Sequence, residues 1–243
     1  MQRIRIATYN IHKCKGLDRK VSPSRIVEVL REMDADIIAL QEVVSLKHGL
    51  REDDQARFIA EELEMGFFSG ETRKLNGGSY GNVLLARLPV RRTFNYDLSV
   101  PRREPRRCLR ADLEINDHPL HIFNVHLGTA FFERRHQARR LVAPEILLNR
   151  DLGGSRIMLG DFNEWTRGLV TRMLSTHLRS ADIRFHLRRS KTYPGVIPFL
   201  HLDHIYFDHS MEMESLALHR SRLSIVASDH LPLVAELRLK RNG

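Results

Sequence analysis

The chain has 243 residues, of which 42% are hydrophobic and 28% are charged, a composition typical of a globular protein with room for one sizeable α/β domain. It has no run near the about 18 apolar residues that a membrane-spanning helix needs, which argues against a helical membrane protein. The formal net charge is +9, and such a balance favours polyanionic partners such as nucleic acid, anionic lipid or phosphorylated metabolites.

Hydrophobic periodicity predicts alternating strands and helices in the first half of the chain. Apolar and polar residues alternate in the first strand, whereas the second is a nearly continuous apolar run, typical of a strand buried on both faces. Ser22 and Pro23 supply an N-cap and a first-turn proline. The predicted elements are strand Ile4–Tyr9, ending at Asn10; a helix from Ser22 through Met33; strand Asp36–Leu40, ending at Gln41-Glu42; helix Asp53–Glu64, closed by Gly66; and strand Asn82–Ala86.

The second half mixes hairpins with strand–helix–strand units. The predicted elements are strands Leu109–Ile115 and Leu120–Val125, joined as a hairpin; a helix from Glu133 to about Arg150, kinked at Pro144; strand Arg156–Leu159; helix Leu169–Leu174, followed by a loop; and strands Leu202–Phe207 and Leu233–Leu239. Strands outnumber helices, which favours an α/β (α+β) fold of two mixed sheets packed together with helices outside. No Pro-, Gly- or Ser-rich linker divides the chain, so we expect residues 1–243 to form one domain.

The compartment is predicted from the cysteines and from the first residues. Cys14 and Cys108 lie in unrelated segments and form neither a disulfide framework nor a metal cluster. The first residues lack the long apolar stretch of a signal peptide. We therefore expect a cytoplasmic protein with two reduced thiols, and we expect it to be a monomer.

Polar residues recur where the predicted apolar strands end. Side chains at strand ends on one rim of a packed sheet converge while the scaffold holds them rigid, and binding and catalytic groups are often placed in this way. The set contains four carboxylates, two amides and two histidines: Asn10, Glu42, His126, Asp161, Asn163, Asp203, Asp229 and His230.

Each of these residues alone also has a purely structural explanation. Glu42 could be the first solvated group after a buried strand, Asp161 could close an Asx turn, Asn10 could satisfy a loop backbone, His126 could be a hydrogen-bonded core histidine, Asp203 could pair with an arginine, and Asp229 could cap a turn. All six explanations would have to hold at once, which favours the functional interpretation of the set.

This inventory suits phosphoester hydrolysis. Mg²⁺ prefers oxygen ligands and keeps several waters, so one or two carboxylates and an amide suffice, and Mn²⁺ is the alternative ion. A carboxylate can orient the attacking water, and a histidine held by an aspartate can carry positive charge against phosphate oxygens. Zinc is disfavoured because no cysteine or histidine pair has its ligand spacing.

Seven motifs, in order along the chain, resemble those of the endonuclease/exonuclease/phosphatase family. They span positions 8 to 233 and are Thr8-Tyr9-Asn10, Leu40-Gln41-Glu42-Val43, Gly81 to Pro89, Val125-His126-Leu127-Gly128, Gly160-Asp161-Phe162-Asn163, Leu202 to Tyr206 and Ser228 to Leu233. The resemblance implies a four-layer α/β sandwich whose active site lies at one edge.

The resemblance also implies a role for each matching residue. Asn10, Glu42 and Asp229 look like metal ligands, Asp161 and Asn163 like the pair that orients the attacking water, and His230 like the phosphate-binding acid/base, with Asp203 as its carboxylate partner. His126 looks like a second histidine that contacts phosphate. We expect Asn82, His12 and Arg106 to contact the substrate.

The substrate is left open by these motifs. His12 and His126 stand where abasic-site endonucleases of this family usually carry an acidic residue and a tyrosine, and this favours the DNase-I-like and sphingomyelinase-like branches. The first hypothesis is a hydrolase of lipid or small phosphodiesters, and the second is a nuclease that uses two arginine clusters, around residues 102–110 and 134–140. Either cluster could instead be a solvated face without a ligand. A third hypothesis is a binding module that has lost its chemistry, but no expected catalytic position is missing.

Overall fold

A computed structural model describes residues 3–164, 168–181, 192–194 and 200–240. Within these ranges the strands are β1 Arg3–Asn10, β2 Ile37–Leu46, β3 Gly66–Leu75, β4 Gly78–Ala86, β5 Val90–Asp97, β6 Arg107–Ile115, β7 His118–His126, β8 Ser155–Asp161, β9 Arg179–Ser180, β10 Asp203–Phe207, β11 Met211–Leu218 and β12 Leu233–Leu239. The α-helices are α1 Pro23–Met33, α2 Gln55–Leu63, α3 Phe131–Leu141, α4 Leu169–Leu174 and α5 Arg222–Ala227.

The strands form two mixed six-stranded sheets. Their orders are β11-β12-β1-β2-β4-β3 and β5-β6-β7-β8-β10-β9. Parallel pairing joins β1 to β2 and β7 to β8, whereas the remaining neighbours are antiparallel. The expectation of two mixed sheets is confirmed.

The sheets pack face to face through one apolar cluster to which both contribute, for example Ile6 and Ile37 from the first sheet and Ile122 and Ile157 from the second. The outer face of the first sheet is covered by α1, α2 and α5, and the outer face of the second by α3 and α4. These four layers are the α/β sandwich that the resemblance implies.

Local sequence signals fix the first helix as predicted. The Ser22 hydroxyl accepts a hydrogen bond from the Arg25 amide, and Pro23 occupies the first turn. Asp34 then ends the helix in a left-handed conformation, with φ of 46°. The buried face of α1, which includes Ile26 and Leu30, packs on the first sheet.

Three predicted boundaries are wrong. Strand β2 does not end at Gln41-Glu42 but continues to Leu46 through an irregularity in its pairing with β4. Helix α2 ends at Leu63 with Glu64 in the left-handed conformation, so Gly66 begins β3 instead of closing the helix. Helix α3 stops at Leu141, well before Pro144, because Pro restricts the preceding residues.

Four strands were not predicted from the sequence, namely β3, β5, β9 and β11. Part of the loop predicted after Leu174 lies outside the described residues. Among the helices that the structure describes, none is long and apolar enough to cross a membrane.

Candidate functional site

Parallel pairing brings three of the predicted residues to one edge of the sandwich. Asn10 ends β1 and lies beside Gln41 of β2, and His126 ends β7 and lies beside Asp161, the last residue of β8. Since the carboxyl ends of parallel strands meet at the same edge, each sheet presents its polar residues there.

Antiparallel strands bring the remaining residues to the same edge from the opposite direction. Asp203 begins β10 and pairs with Asp161 at the end of β8. Asp229 and His230 precede β12, which runs antiparallel to β1 and so starts where β1 ends. The polar residues of the site therefore lie at the starts of some strands as well as at the ends of others.

Gly160 allows the close approach of β8 to β7 that places Asp161. Its φ is 146°, a conformation that residues with a side chain rarely adopt, and a Cβ at this position would overlap the carbonyl oxygen of Val125. The glycine of the Gly-Asp-Phe-Asn motif is therefore required by the strand pairing next to the site.

The side chain of Asn10 joins the two sheets across the site. Its Nδ2 donates to Oδ2 of Asp161 at 3.1 Å and to Oε1 of Glu42 at 3.2 Å, and its Oδ1 accepts from the His12 amide at 3.1 Å. Asp161 Oδ2 and Glu42 Oε1 thus both lie about 3 Å from Asn10 Nδ2, an atom that carries a partial positive charge. A position between two carboxylate oxygens suits a hard cation.

Glu42 is presented by a β-bulge. Its φ is 60°, and the pairing of β2 with β4 shifts between Leu40 and Val43. The extra residue bends the strand and turns the carboxylate toward the rim. The Lys13 Nζ lies 3.9 Å from the Glu42 Oε2 and adds a positive charge at this edge.

The bulge is held by Asn124, which lies in β7 of the opposite sheet and was not predicted as a site residue. Its Nδ2 donates to the carbonyl oxygens of Leu40 and Val83 at 3.0 and 2.9 Å, and its Oδ1 accepts from Gln41 Nε2 at 2.9 Å. Asn124 is fully buried. A buried asparagine among apolar strand residues, two positions before His126, is the signal in the sequence that could have identified it.

His230 is buried and lies close to the carboxylates of Asp203 and Asp161. Its Nδ1 donates to Asp203 Oδ2 at 2.9 Å, and its Nε2 lies 3.7 Å from Asp161 Oδ2. Burial opposes its charge, but Asp203, Asp161 and Asp229 outweigh burial and raise the pKa of His230 to about 10. Asp203 thus pairs with a histidine and not with an arginine, and His230 is a cation at neutral pH.

Asp161 lies between two histidines, of which His230 is charged and His126 is neutral. Burial, followed by the charge of Asp203, raises its pKa to about 6, although His230 opposes the shift. His126 Nε2 lies 3.6 Å from Asp161 Oδ2. Burial and the positive charges of Arg106 and His230 hold the pKa of His126 well below its usual range, so His126 is neutral.

Asn163 is oriented by the same carboxylate. Its backbone amide donates to Asp161 Oδ1 at 2.9 Å, and its Nδ2 donates to the Leu127 carbonyl at 2.9 Å. With φ of 50°, Asn163 adopts the left-handed conformation that asparagine tolerates. The Asx turn considered for Asp161 is therefore present, and it also orders the neighbouring site residue.

Of the other predicted residues, Asp229 and His12 lie at the rim. Asp229 Oδ1 is 3.6 Å from His12 Nδ1, and both side chains are partly exposed. Asn82 is buried, and its Nδ2 donates to the Arg107 and Asn124 carbonyls across the sheets, so its amide nitrogen is used in structure.

The first arginine cluster does not form one surface. Arg106 is buried and pairs with Glu104 at 2.8 Å, and its charge acts on His126. Arg110 is buried against the Phe94 ring and binds Asp112 on the outer face of the second sheet. Of these two arginines, only Arg106 is close enough for its charge to affect a predicted site residue, His126.

Tyr193 is a further residue beside the site. Its ring centroid lies 4.9 Å from that of His230, and the charges of Asp229, Asp161 and Glu42 act on its hydroxyl. Tyr193 was not predicted as a site residue, because no hydrophobic periodicity around it indicates that it lies near a strand end.

Two groups of residues could be considered for a metal ion. Among the described residues, ligand atoms of Asp161, Asp203 and His230 lie within 4.8 Å of one another. A protonated histidine cannot ligate a metal, however, and Nδ1 of His230 is occupied by Asp203. The oxygens around Asn10 and Glu42 fit Mg²⁺ or Mn²⁺ better, because both ions prefer oxygen ligands.

Sequence and structure comparisons agree on what this chain is similar to. An uncharacterized protein of Escherichia coli K12, YbhP, is 30% identical over 247 aligned residues, which cover 97% of this chain and 96% of YbhP. An endonuclease/exonuclease/phosphatase structure from Bacteroides vulgatus covers 99% of this chain and all of its own, with 18% identity and a TM-score of 0.79.

A mannosyl-6-phosphatase of Bacteroides thetaiotaomicron, Bt3783, also shares the fold, with 18% identity, a TM-score of 0.77 and coverage of 97% of this chain and 100% of its own. The model of the Endonuclease/Exonuclease/phosphatase family matches residues 7–230, nearly the whole chain. With the sandwich and the convergent rim described above, this match shows that the chain belongs to the endonuclease/exonuclease/phosphatase family.

Proposed function

We propose that the protein is a divalent-metal-dependent phosphodiester hydrolase. The observation that supports this most directly is the arrangement around Asp161, whose Oδ2 lies 3.7 Å from a charged histidine, His230, and 3.6 Å from a neutral one, His126. Phosphoryl transfer needs an oriented water and neutralisation of phosphate charge, and this pocket supplies a group for each task.

Asn10, Glu42 and Asp229 would hold Mg²⁺, with Mn²⁺ as the alternative. The ion, when bound, supplies Lewis-acid stabilisation of phosphate oxygens. The side-chain amide of Asn10 already contacts Glu42 Oε1 at 3.2 Å, and Asp229 lies beside His12, whose Nδ1 is 3.6 Å from Asp229 Oδ1.

Asp161 and Asn163 orient the attacking water in this proposal. A carboxylic acid with a pKa of about 6 is ionised at pH 7, yet it is basic enough to accept a proton from water as the new bond forms. Asn163 is fixed by two hydrogen bonds and therefore offers the rest of its amide in one orientation.

His230 binds the scissile phosphate as a cation. Asp203 holds the imidazole through Nδ1, which leaves Nε2 to donate to a phosphate oxygen or to protonate the leaving oxygen. His126 is neutral and contributes a hydrogen bond without charge. His12, Asn82 and Arg106 would line the substrate pocket around these groups.

The substrate class that we favour is a phospholipid or a small phosphodiester. A DNA or RNA nuclease is the second candidate, supported by the net charge of +9. A non-catalytic binding module is disfavoured because every proposed catalytic side chain is present. We also propose that the chain works as a monomeric single domain in the cytoplasm.

A panel of substrates with Mg²⁺ or Mn²⁺ tests the proposal. It contains bis-p-nitrophenyl phosphate, p-nitrophenyl phosphate, plasmid DNA, RNA and phospholipid vesicles, with Asp161→Ala and His230→Ala as inactive controls. We expect turnover of a diester that both substitutions abolish. Equal activity of the two variants and the wild type would refute the site, and no turnover of any phosphoester would favour the binding module.

A further inference from the structure

Helix α3 exposes a face that combines aromatic and basic residues, here called the α3 surface. It consists of Phe131, Phe132, Arg135, His136, Arg139 and Arg140. Phe131 is 62% exposed and Phe132 is 48% exposed, the largest aromatic exposures among the described residues. Neighbouring exposed phenylalanines are costly on a surface that only meets water, so they mark a contact with something else.

The composition of this face does not follow from packing. The residues that α3 buries are Glu133, Arg134, Gln137, Ala138 and Leu141. All the exposed positions of the helix are apolar or basic, and the only acidic residue of α3, Glu133, is turned inward to the Ala130 amide. The α3 surface is therefore a positively charged face with two apolar side chains at its N-terminal end.

A second segment extends the same basic area. The guanidinium of Arg103 lies 4.6 Å from the ring centroid of Phe132, and both Arg102 and Arg103 are exposed. This contact brings part of the first arginine cluster to the α3 surface and covers one side of the Phe132 ring.

The α3 surface is rigidly connected to the catalytic rim. Ala130, the residue before the helix, is only four positions after His126. In the intervening turn, the Leu127 amide donates to the Asp161 carbonyl at 2.9 Å, and the Gly128 amide donates to Gln137 Oε1 of α3 at 2.8 Å. The N-terminal end of the α3 surface, which carries Phe131 and Phe132, is thus fixed relative to the site.

We propose that the α3 surface docks the enzyme on an anionic phospholipid bilayer, so that lipid phosphodiesters at the bilayer surface are its substrates. This inference rests on the proposed function. Arginines attract anionic head groups, and two phenylalanines enter the interface between head groups and acyl chains, the combination that holds peripheral proteins on membranes.

A nucleic acid fits the α3 surface less well. Bases stack on free ring faces, but Arg103 covers one face of Phe132. Phe131 and Phe132 are consecutive on a helix and therefore project about 100° apart, so they cannot form one platform for successive bases. A fluid bilayer has no fixed stacking positions, so both phenylalanines can enter it although they project in different directions.

Vesicle sedimentation tests the docking. The protein is mixed with vesicles of phosphatidylglycerol and phosphatidylcholine, or of phosphatidylcholine alone. We expect binding to the anionic vesicles that weakens as NaCl rises from about 50 to about 500 mM. The double variant F131A/F132A should bind anionic vesicles at least about tenfold more weakly than the wild type. The double variant R135Q/R139Q should lose most of the part of the vesicle affinity that depends on salt.

A matched control removes exposed apolar side chains elsewhere. The double variant V21A/L50A changes residues that are 61% and 79% exposed but lie away from α3, and it should bind vesicles as the wild type does. Equal vesicle binding of F131A/F132A and wild type would overturn the docking surface, as would salt-sensitive binding to duplex DNA that these substitutions weaken while vesicles are not bound.

Activity separates this inference from the proposed function. F131A/F132A should hydrolyse soluble bis-p-nitrophenyl phosphate at the wild-type rate and lose most activity on lipid in vesicles. If the soluble diester is cleaved but vesicles are neither bound nor cleaved, the docking is wrong and the hydrolase stands. If no diester is cleaved although vesicles are bound, the proposed function is wrong.

Discussion

The imidazole of His230 donates through Nδ1 to Oδ2 of Asp203 at 2.9 Å, with both side chains buried. The other carboxylate oxygen of Asp203, Oδ1, has no hydrogen-bond partner among the described residues. Among the described residues, the side chain of Asp203 therefore makes its hydrogen bond to His230, which fixes the imidazole ring and favours its charged form.

Replacement of Asp203 should remove the charge of His230 and keep its position. In Asp203→Asn the amide oxygen can still accept from Nδ1, but the pKa of His230 should fall toward its ordinary value. We expect kcat at pH 8 to fall about 10²- to 10⁴-fold with a smaller change in KM, and the activity that remains should decline at a lower pH than in the wild type.

The chain offers a matched control for this variant. In the pair of His121 and Asp112, the Nδ1 to Oδ1 distance is 2.7 Å, and His121 lies in β7, the strand that ends at His126. Asp112→Asn should leave kcat near the wild-type value. An equal loss in both variants would mean that the Asp203 effect is general destabilisation.

Asp161 should show opposite effects on activity and on stability. Its raised pKa means that burial of the ionised carboxylate costs free energy at neutral pH. Asp161→Asn should therefore lower kcat about 10²- to 10⁴-fold, while the Tm of the metal-free protein stays equal or rises. A clear fall in Tm would show that the carboxylate stabilises the fold and would weaken its assignment to catalysis.

Chelation should abolish activity, and the loss should be reversible. We expect EDTA to remove all diesterase activity and added Mg²⁺ or Mn²⁺ to restore it. Glu42→Gln should raise the Kd for Mn²⁺, measured by calorimetry, at least about tenfold, because a charged ligand is lost. Glu28→Gln, on the exposed face of α1, is the control. Full activity in excess EDTA would contradict the metal site.

The pH dependence of stability should reveal the charge of His230. A group whose folded pKa is raised stabilises the protein fully below its unfolded pKa, near 6.5, and this contribution disappears as pH rises through the folded value of about 10. We therefore compare the two proteins by urea unfolding with EDTA present. The free energy of unfolding of the wild type should exceed that of His230→Gln by the largest amount below about pH 6.5. This difference in the free energy of unfolding should shrink as the pH approaches about 10. A difference that does not change with pH would contradict the charge assigned to His230.

Asn124 should affect metal affinity through Glu42. Asn124→Ala removes one donor from each of the Leu40 and Val83 carbonyls, at a cost of about 3 kcal/mol. If Asn124 holds the bulge, Mn²⁺ affinity should fall about 10- to 100-fold. Leu30→Ala, a core substitution in α1 of comparable cost, should leave that affinity unchanged.

The pattern of the sequence predicted all eight interior strands and none of the four that form the sheet edges, β3, β5, β9 and β11. Interior strands are largely buried on both faces, and most of their residues are therefore apolar. Edge strands are bounded by water: β5 carries Arg91, Arg92 and Asn95 on largely exposed positions. Polar residues on an edge strand prevent it from pairing with strands of other proteins. The same residues remove the hydrophobic pattern by which a strand is predicted.

The same limit applies to the site. Groups that stand alone after an apolar run, such as Asp161, are visible in the sequence because their polarity contrasts with their neighbours. Asn124 escaped prediction because its partners come from another sheet, about 40 and 80 residues away in the chain. Tyr193 escaped because nothing local links it to His230.

The bulge at Glu42 also sets how the chain can change in length. The bulge accommodates one extra residue of β2 between Leu40 and Val43, while Leu40 still pairs with Val83 and Val43 with Gly81. Deletion would restore an uninterrupted ladder with β4 and so gain hydrogen bonds, yet it would turn the carboxylate of Glu42 away from the rim. We therefore expect an insertion or deletion between Leu40 and Val43 to misplace Glu42 even where the fold survives.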